Sequence, residues 1–172
     1  MTTRMTRVQN AAILLGVGLG ALLNNVLLQQ ILQWHGLLSS RVPPASLEGA
    51  SKNLEAGGWF NLVALGVCFA AAWLLVRAIR DSGRVPSRLG FIAHVLLGWG
   101  VFNFVEGVVY HHVLELHHVH DLPALDPLYD WLYLLGSGLG FIVVYLALRD
   151  PRPADPPFGE RRSGHDRRAA QA

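Results

Sequence analysis

The sequence predicts an all-α integral membrane protein: a bundle of four transmembrane helices, built as a degenerate 2+2 parallel repeat, with both termini inside. Three observations support this fold class. Only 15% of the 172 residues are charged and 52% are hydrophobic, whereas a soluble domain carries about 25% charged residues. Charged residues are absent from four long stretches. The Lys and Arg residues are distributed unevenly among the segments between these stretches. Cys68 is the single cysteine, which excludes a disulfide framework within the chain.

Each predicted helix is a stretch that nearly lacks charge and approaches the roughly 20 apolar residues needed to cross a bilayer. The four predicted helices cover about residues 8–34, 57–77, 89–116 and 129–148, so residues 1–149 form the transmembrane domain. The first is too long for a signal peptide and shows no cleavage site, so we expect it to be retained. Residues 150–172 are rich in Pro and Arg, and we expect a disordered cytoplasmic tail.

The distribution of basic residues predicts the orientation of the helices. With both termini inside, the predicted cytoplasmic segments hold 12 of the 14 Lys and Arg residues, as the positive-inside rule requires. We therefore expect a multi-pass protein of the bacterial inner membrane, with the first and third loops outside. Its partners are the lipid bilayer and, as candidates, other membrane subunits or a second copy. Because the arginines flank helices and form no continuous face, we expect no binding to nucleic acid.

An internal repeat relates the two halves of the predicted bundle. Helices one and three align at a constant sequence offset of 82, and the aligned pairs include Gly16 with Gly98, Gln29 with His111, and His35 with His117. Helices two and four align more weakly at an offset of 72, as Trp59 does with Trp131. Because each unit contains two helices, the repeat is parallel and its pseudo-two-fold axis lies along the membrane normal.

Histidines concentrate at the predicted outer end of helix three, where five of the eight lie between His111 and His120. On a continuous helix His111, Glu115 and His118 share one face within about 60°, and imidazole with carboxylate suits a transition metal. Glu106 lies at membrane depth, where a carboxylate normally has a partner or a function. The predicted metal ligands are His111, Glu115, His117, His118 and Glu106, with copper or zinc as the expected ion. Asp121, Asp126 and Asp130 offer further carboxylates on the same side.

Two other interpretations stay open at this point. Imidazoles from two helices can ligate one haem, and His35 with His117 is the natural pair for a redox protein. Alternatively, the chain is a non-catalytic structural subunit of a membrane complex, held by its glycine-rich helix faces. No serine lies in a nucleophile-elbow context, so an enzyme is the less expected outcome.

These motifs resemble a family of small four-helix bacterial membrane proteins of unknown function. The resemblance spans all four helices and is most specific in helix three, in the residues Gly98-Trp99-Gly100, Phe102-Asn103, Glu106-Gly107 and His111-His112 through His120. The end of helix one matches in Gln30 to His35. The first half departs from the family pattern, because Asn24, Gln29, Gly36, Gly57 and Asn61 stand where acidic residues or histidines are expected. The resemblance implies the fold but no established reaction, and it implies that potential ligands remain mainly in the second half.

Overall fold

The computed structural model describes residues 2–83 and 85–149, and these contain four helices long and apolar enough to span a membrane. Helix α1 spans Thr2–Asn24 and continues as the π-helical segment Asn25–Ile31, and α2 spans Leu47–Ser82. Helix α3 spans Arg88–Glu106 and continues as π-helical Gly107–Val113. Helix α4 comprises Leu128–Leu132, π-helical Tyr133–Leu139 and Gly140–Leu148. The predicted all-α membrane fold is confirmed, while the predicted tail, 150–172, lies outside the described residues.

Helix α2 begins well before its predicted start, at Leu47 instead of residue 57. Ser46 caps it, since its hydroxyl accepts a hydrogen bond from the Gly49 N–H at 3.0 Å. The first turns are polar, so a search for charge-free residues passes over them. The 36 residues of α2 measure roughly 54 Å at the usual helical rise. Because the hydrocarbon core is only about 30 Å thick, the polar start of α2 projects beyond it.

Helices α1 and α3 end at equivalent positions, and both end earlier than predicted. Helix α1 ends at Ile31 instead of residue 34, and α3 ends at Val113 instead of residue 116. The backbone enters the left-handed region two residues beyond the end of each helix, at Gln33 with φ 54° and at Glu115 with φ 46°. A left-handed residue is a common way to terminate a helix. The two loops that follow, residues 32–46 and 114–127, lie at one end of the bundle, which we call the two-loop end.

Glycines let α1 and α3 pack against each other as the central pair, with α2 against α1 and α4 against α3. A Cβ atom on Gly16 would collide with the carbonyl oxygen of Val95, and one on Gly98 would collide with that of Ile13. Small residues at such crossings let membrane helices approach closely. The two contacts are reciprocal, because the sequence alignment that pairs Gly16 with Gly98 also pairs Ile13 with Val95.

The outer pairs of helices show a similar correspondence. A Cβ atom on Gly18 would lie 3.2 Å from the Ala64 carbonyl oxygen, and one on Gly100 would lie 2.8 Å from that of Gly138. The sequence alignment instead pairs Gly66 with Gly138, so the contacts are shifted by two positions from it. The contact at Gly138 falls within the π-helical segment Tyr133–Leu139 of α4. The repeat itself stays a prediction, and these contacts agree with it.

The surface of the bundle has the character expected next to lipid. Large apolar side chains on α2 and α4 are exposed, among them Trp59, Phe69 and Val143. The buried apolar core, in contrast, is made mostly of alanines, including Ala11, Ala64, Ala71 and Ala93. Small residues inside and large ones outside are the arrangement that bilayer packing favours.

The reciprocal glycine contact predicts that Gly98→Ala destabilises the bundle. The new methyl group would meet the backbone of α1 at Ile13, which cannot rotate away, and overpacking of this kind costs about 1–3 kcal/mol. Gly66→Ala is the matched control, because nothing lies within 4 Å of a Cβ there. Thermal unfolding of detergent-purified protein should show a lower midpoint for Gly98→Ala and no decrease for Gly66→Ala. Equal midpoints for the two variants would contradict the close contact.

Candidate functional site

Three titratable side chains meet inside the two-loop end. Glu106, His111 and His117 each offer one ligand atom, and these atoms lie within 4.8 Å of one another. Glu106 ends the regular part of α3, His111 lies in its π-helical segment, and His117 lies in the following loop. The two histidines are buried, with 3% and 1% exposure, and the Glu106 side chain is 12% exposed. We call these three residues the Glu-His cluster; among the described residues no other group of this kind is found.

His117 is held so that one ring nitrogen faces the cluster. Its Nδ1 lies 3.0 Å from the carbonyl oxygen of Leu37, to which a protonated Nδ1 donates. Burial lowers the pKa of His117 well below its usual range, so the ring stays neutral and Nε2 carries a lone pair. Nε2 lies 4.0 Å from Glu106 Oε1. Two acceptor atoms that face each other in a buried site favour a cation or a proton between them.

His111 has a buried nitrogen that lacks a hydrogen-bond partner among the described residues. Its Nδ1 lies 3.3 Å from Asp130 Oδ1, but the ring geometry does not form a hydrogen bond. Asp130 is already engaged, because Oδ1 accepts from the Val119 N–H at 2.8 Å and Oδ2 lies 2.7 Å from His118 Nδ1. A buried polar atom left unpaired costs about 1–3 kcal/mol. His111 is therefore held less completely by its neighbours than His117 is.

Glu106 is held by a chain of hydrogen bonds that links three helices. The Tyr133 hydroxyl donates to Glu106 Oε2 at 2.5 Å and accepts from Asn24 Nδ2 at 2.5 Å. Asn24 Nδ2 also donates to Asn103 Oδ1 at 2.7 Å. Carboxylates at membrane depth are costly and normally have such partners. One carboxylate oxygen is thus satisfied by Tyr133, and the other faces His117.

His35 packs against the cluster without joining it. Its ring stacks on that of His117, with centroids 4.6 Å apart and an interplanar angle of 24°. His35 Nδ1 lies 3.1 Å from the carbonyl oxygen of Val119, while His117 Nδ1 is close to that of Leu37. These contacts are reciprocal, since Leu37 and Val119 are paired by the same alignment that pairs the two histidines. Burial lowers the pKa of His35, so this ring also stays neutral.

The stacking bears on the choice between a metal ion and a haem. Two imidazoles that ligate one haem iron stand on opposite sides of the porphyrin plane. His35 and His117 instead stack directly on each other, which leaves no space for a macrocycle between them. The two stacked rings therefore do not form an opposed pair of axial haem ligands.

Two of the residues predicted as metal ligands lie outside the cluster. The predicted helical stripe of His111, Glu115 and His118 does not form, because α3 ends at Val113 and the chain turns at Glu115. Glu115 is exposed, and His118 contacts Asp130 instead. Nothing in the sequence indicated that Tyr133 contacts Glu106. Tyr133 lies 27 residues further along the chain and resembles an ordinary interfacial aromatic residue.

The fold and the cluster together define a multi-pass membrane protein with a buried Glu-His cluster at one end of a four-helix bundle. The chain belongs to the family described as Predicted membrane protein (DUF2243), whose model matches residues 11–150. This match confirms the resemblance drawn from helix three. No curated protein and no solved structure matches the chain.

The hydrogen bond to Glu106 predicts that Tyr133→Phe lowers stability. The substitution leaves a buried carboxylate oxygen without its donor, a loss of about 1–3 kcal/mol. Tyr129→Phe is the matched control, since Tyr129 contributes ring contacts with Trp34 and His120 that phenylalanine retains. Thermal unfolding should give a lower midpoint for Tyr133→Phe than for Tyr129→Phe. The reverse order would show that the Tyr133 hydroxyl does not support Glu106.

Proposed function

We propose that this protein binds one transition-metal ion, zinc or copper, through Glu106, His111 and His117, and acts in metal handling or in the assembly of a membrane metalloenzyme. The observation that carries the proposal is the approach of three buried ligand atoms to within 4.8 Å of one another. The position of His111 Nδ1, 3.3 Å from Asp130 Oδ1, adds a second argument, because metal-binding histidines usually have a carboxylate or carbonyl oxygen beside their second nitrogen.

The chemistry of the three side chains suits such an ion. Two imidazoles and one carboxylate form a ligand set that zinc adopts when a fourth position stays open for exchange, and copper also binds imidazole well. Metal-binding histidines usually donate their second N–H to a carbonyl or carboxylate oxygen. His117 has this partner in Leu37 O. An open coordination position suits a protein that receives an ion and passes it on.

We further propose that both termini face the cytoplasm of a bacterium and that the cluster lies at the outer face of its inner membrane. The basic residues support this orientation, because Arg7, Arg77 and Arg80 lie at the end of the bundle opposite the cluster. Lys and Arg favour the cytoplasmic side of membrane proteins. The ion would then be acquired from, or delivered to, the outside of the cell membrane.

Metal analysis tests the proposal directly. Purified protein loaded with Zn²⁺ or Cu²⁺ and then desalted should retain about one equivalent by elemental analysis, as a single three-ligand site predicts. The metal content of the variants His111→Ala and His117→Ala should fall to background. His120→Ala should behave as the unmodified protein, since His120 contacts Ala124 in the loop, away from the cluster. A metal content at background in the unmodified protein would refute the proposal, and so would a metal content that stays unchanged in both variants. A Soret band in the absorption spectrum of the purified protein would favour haem instead.

The two glutamates predicted from the sequence provide a sharper comparison. Glu106→Gln keeps the size of the side chain but weakens the ligand, so metal affinity should fall by more than about tenfold, the least that losing even an outer partner costs. Glu115→Gln removes an exposed carboxylate that is not part of the Glu-His cluster and should leave the affinity unchanged. Competition titration with a chelator measures both values. A larger loss of metal affinity for Glu115→Gln than for Glu106→Gln would instead favour the predicted stripe of His111, Glu115 and His118 as the binding site.

A further inference from the structure

A cavity of about 810 Å³ opens at the two-loop end beside the cluster. It lies between the last turn of α1, the loop after it, the first turns of α2 and the loop after α3. Its polar lining includes Gln29, Gln33, His35, Ser39, Asn53 and Asp121, and none of the described residues that line it is a Lys or Arg. Asp121 is therefore the one formally charged side chain among the described residues that line the cavity.

Gln29 is a buried amide at the wall of this cavity. Its side chain is 8% exposed, and Nε2 donates to the Asn53 carbonyl oxygen at 2.9 Å. Oε1 has no hydrogen-bond partner within the part of the chain that the structure describes. Gly57 makes room for this amide, because a Cβ there would lie 2.5 Å from Oε1. Oε1 itself is enclosed by protein, so Gln29 shapes the wall of the cavity without offering it a ligand atom.

Asp121 gives the cavity its negative charge. One of its carboxylate oxygens accepts from the Ser39 hydroxyl at 2.5 Å and from the His118 N–H at 3.2 Å. A cleft lined by charge of one sign concentrates ions of the opposite sign. A cavity of about 810 Å³ has room for a cation together with its water shell.

His35 joins the cavity to the Glu-His cluster. It lines the cavity and also stacks on His117 at 4.6 Å between ring centroids. We propose that this cavity is the entry vestibule through which a hydrated metal cation reaches Glu106, His111 and His117, with His35 at the boundary. The inference rests on the proposed metal binding and adds the route that the ion takes. The carboxylate of Asp121 attracts the ion, and the imidazoles then replace its water.

Kinetics of Zn²⁺ uptake test the vestibule separately from the metal site. The probe is Zn²⁺ alone, added to chelator-stripped protein, with uptake followed by competition with a chromogenic chelator in a stopped-flow instrument. Ala50→Trp places an indole at an exposed position in the cavity wall, whereas Ser51→Trp places it on the neighbouring exposed residue outside the wall. We expect severalfold slower uptake for Ala50→Trp, an unchanged rate for Ser51→Trp, and the same final zinc content in both.

A pair of charge variants tests the attraction itself. Asp121→Asn should slow uptake by about tenfold at low salt, the lower range for electrostatic focusing in a cleft. Asp126→Asn removes the same charge from the same loop but not from the cavity wall, so it should change the rate little. Asp121 also accepts hydrogen bonds, so its substitution can destabilise the fold, and the thermal midpoint of Asp121→Asn is measured to detect this. If Asp121→Asn unfolds, Ala50→Trp alone tests the vestibule.

The outcomes separate the two proposals. Uptake at the unmodified rate in Ala50→Trp, with normal final zinc content, would overturn the vestibule and leave the metal site standing. Uptake equally slow in Ser51→Trp would also overturn it, since a general effect on the loop end would then explain the result. An unmodified protein that binds no Zn²⁺ and no Cu²⁺ at equilibrium overturns the metal site and the vestibule together.

Discussion

The close crossing of α1 and α3 at Gly16 and Gly98 is the constraint on which the candidate site depends. Each glycine lies against the backbone of the other helix, so neither helix can slide without a collision. From this crossing each helix rises roughly 25 Å to equivalent left-handed residues, Gln33 and Glu115. The two following loops then meet symmetrically, and His35 stacks on His117. The geometry of the cluster is thus set by packing several turns away from it.

Burial of Glu106 is the main cost of this arrangement, and the neighbouring helices offset it. Tyr133 from α4 donates to the carboxylate, and Asn24 from α1 donates to Tyr133. Because lipid supplies no hydrogen bonds, these partners must come from the protein. The same contacts tie α1, α3 and α4 together around the cluster. A network that stabilises a carboxylate in the bilayer therefore also positions it, which a metal ligand requires.

The sequence predicted the number of helices and three members of the cluster, but not the way in which those members meet. Charge-free stretches are a direct consequence of the bilayer, so four spans could be predicted. The predicted stripe of His111, Glu115 and His118 extended the helical period past Val113, whereas a π-helical segment and a left-handed turn end α3 there. The start of α2 was missed because its capped first turns are polar. Contacts such as that between Tyr133 and Glu106 depend on tertiary packing, which spacing along the chain does not encode.

The two halves of the bundle share a framework but differ in chemistry. Asn24 and Gln29 align with Glu106 and His111 in the sequence repeat, so amides occupy one half where a carboxylate and an imidazole occupy the other. Amide oxygens bind a transition metal far more weakly than imidazole or carboxylate, and they hold no charge. The proposed metal binding would therefore be confined to the half of the bundle that carries the Glu-His cluster.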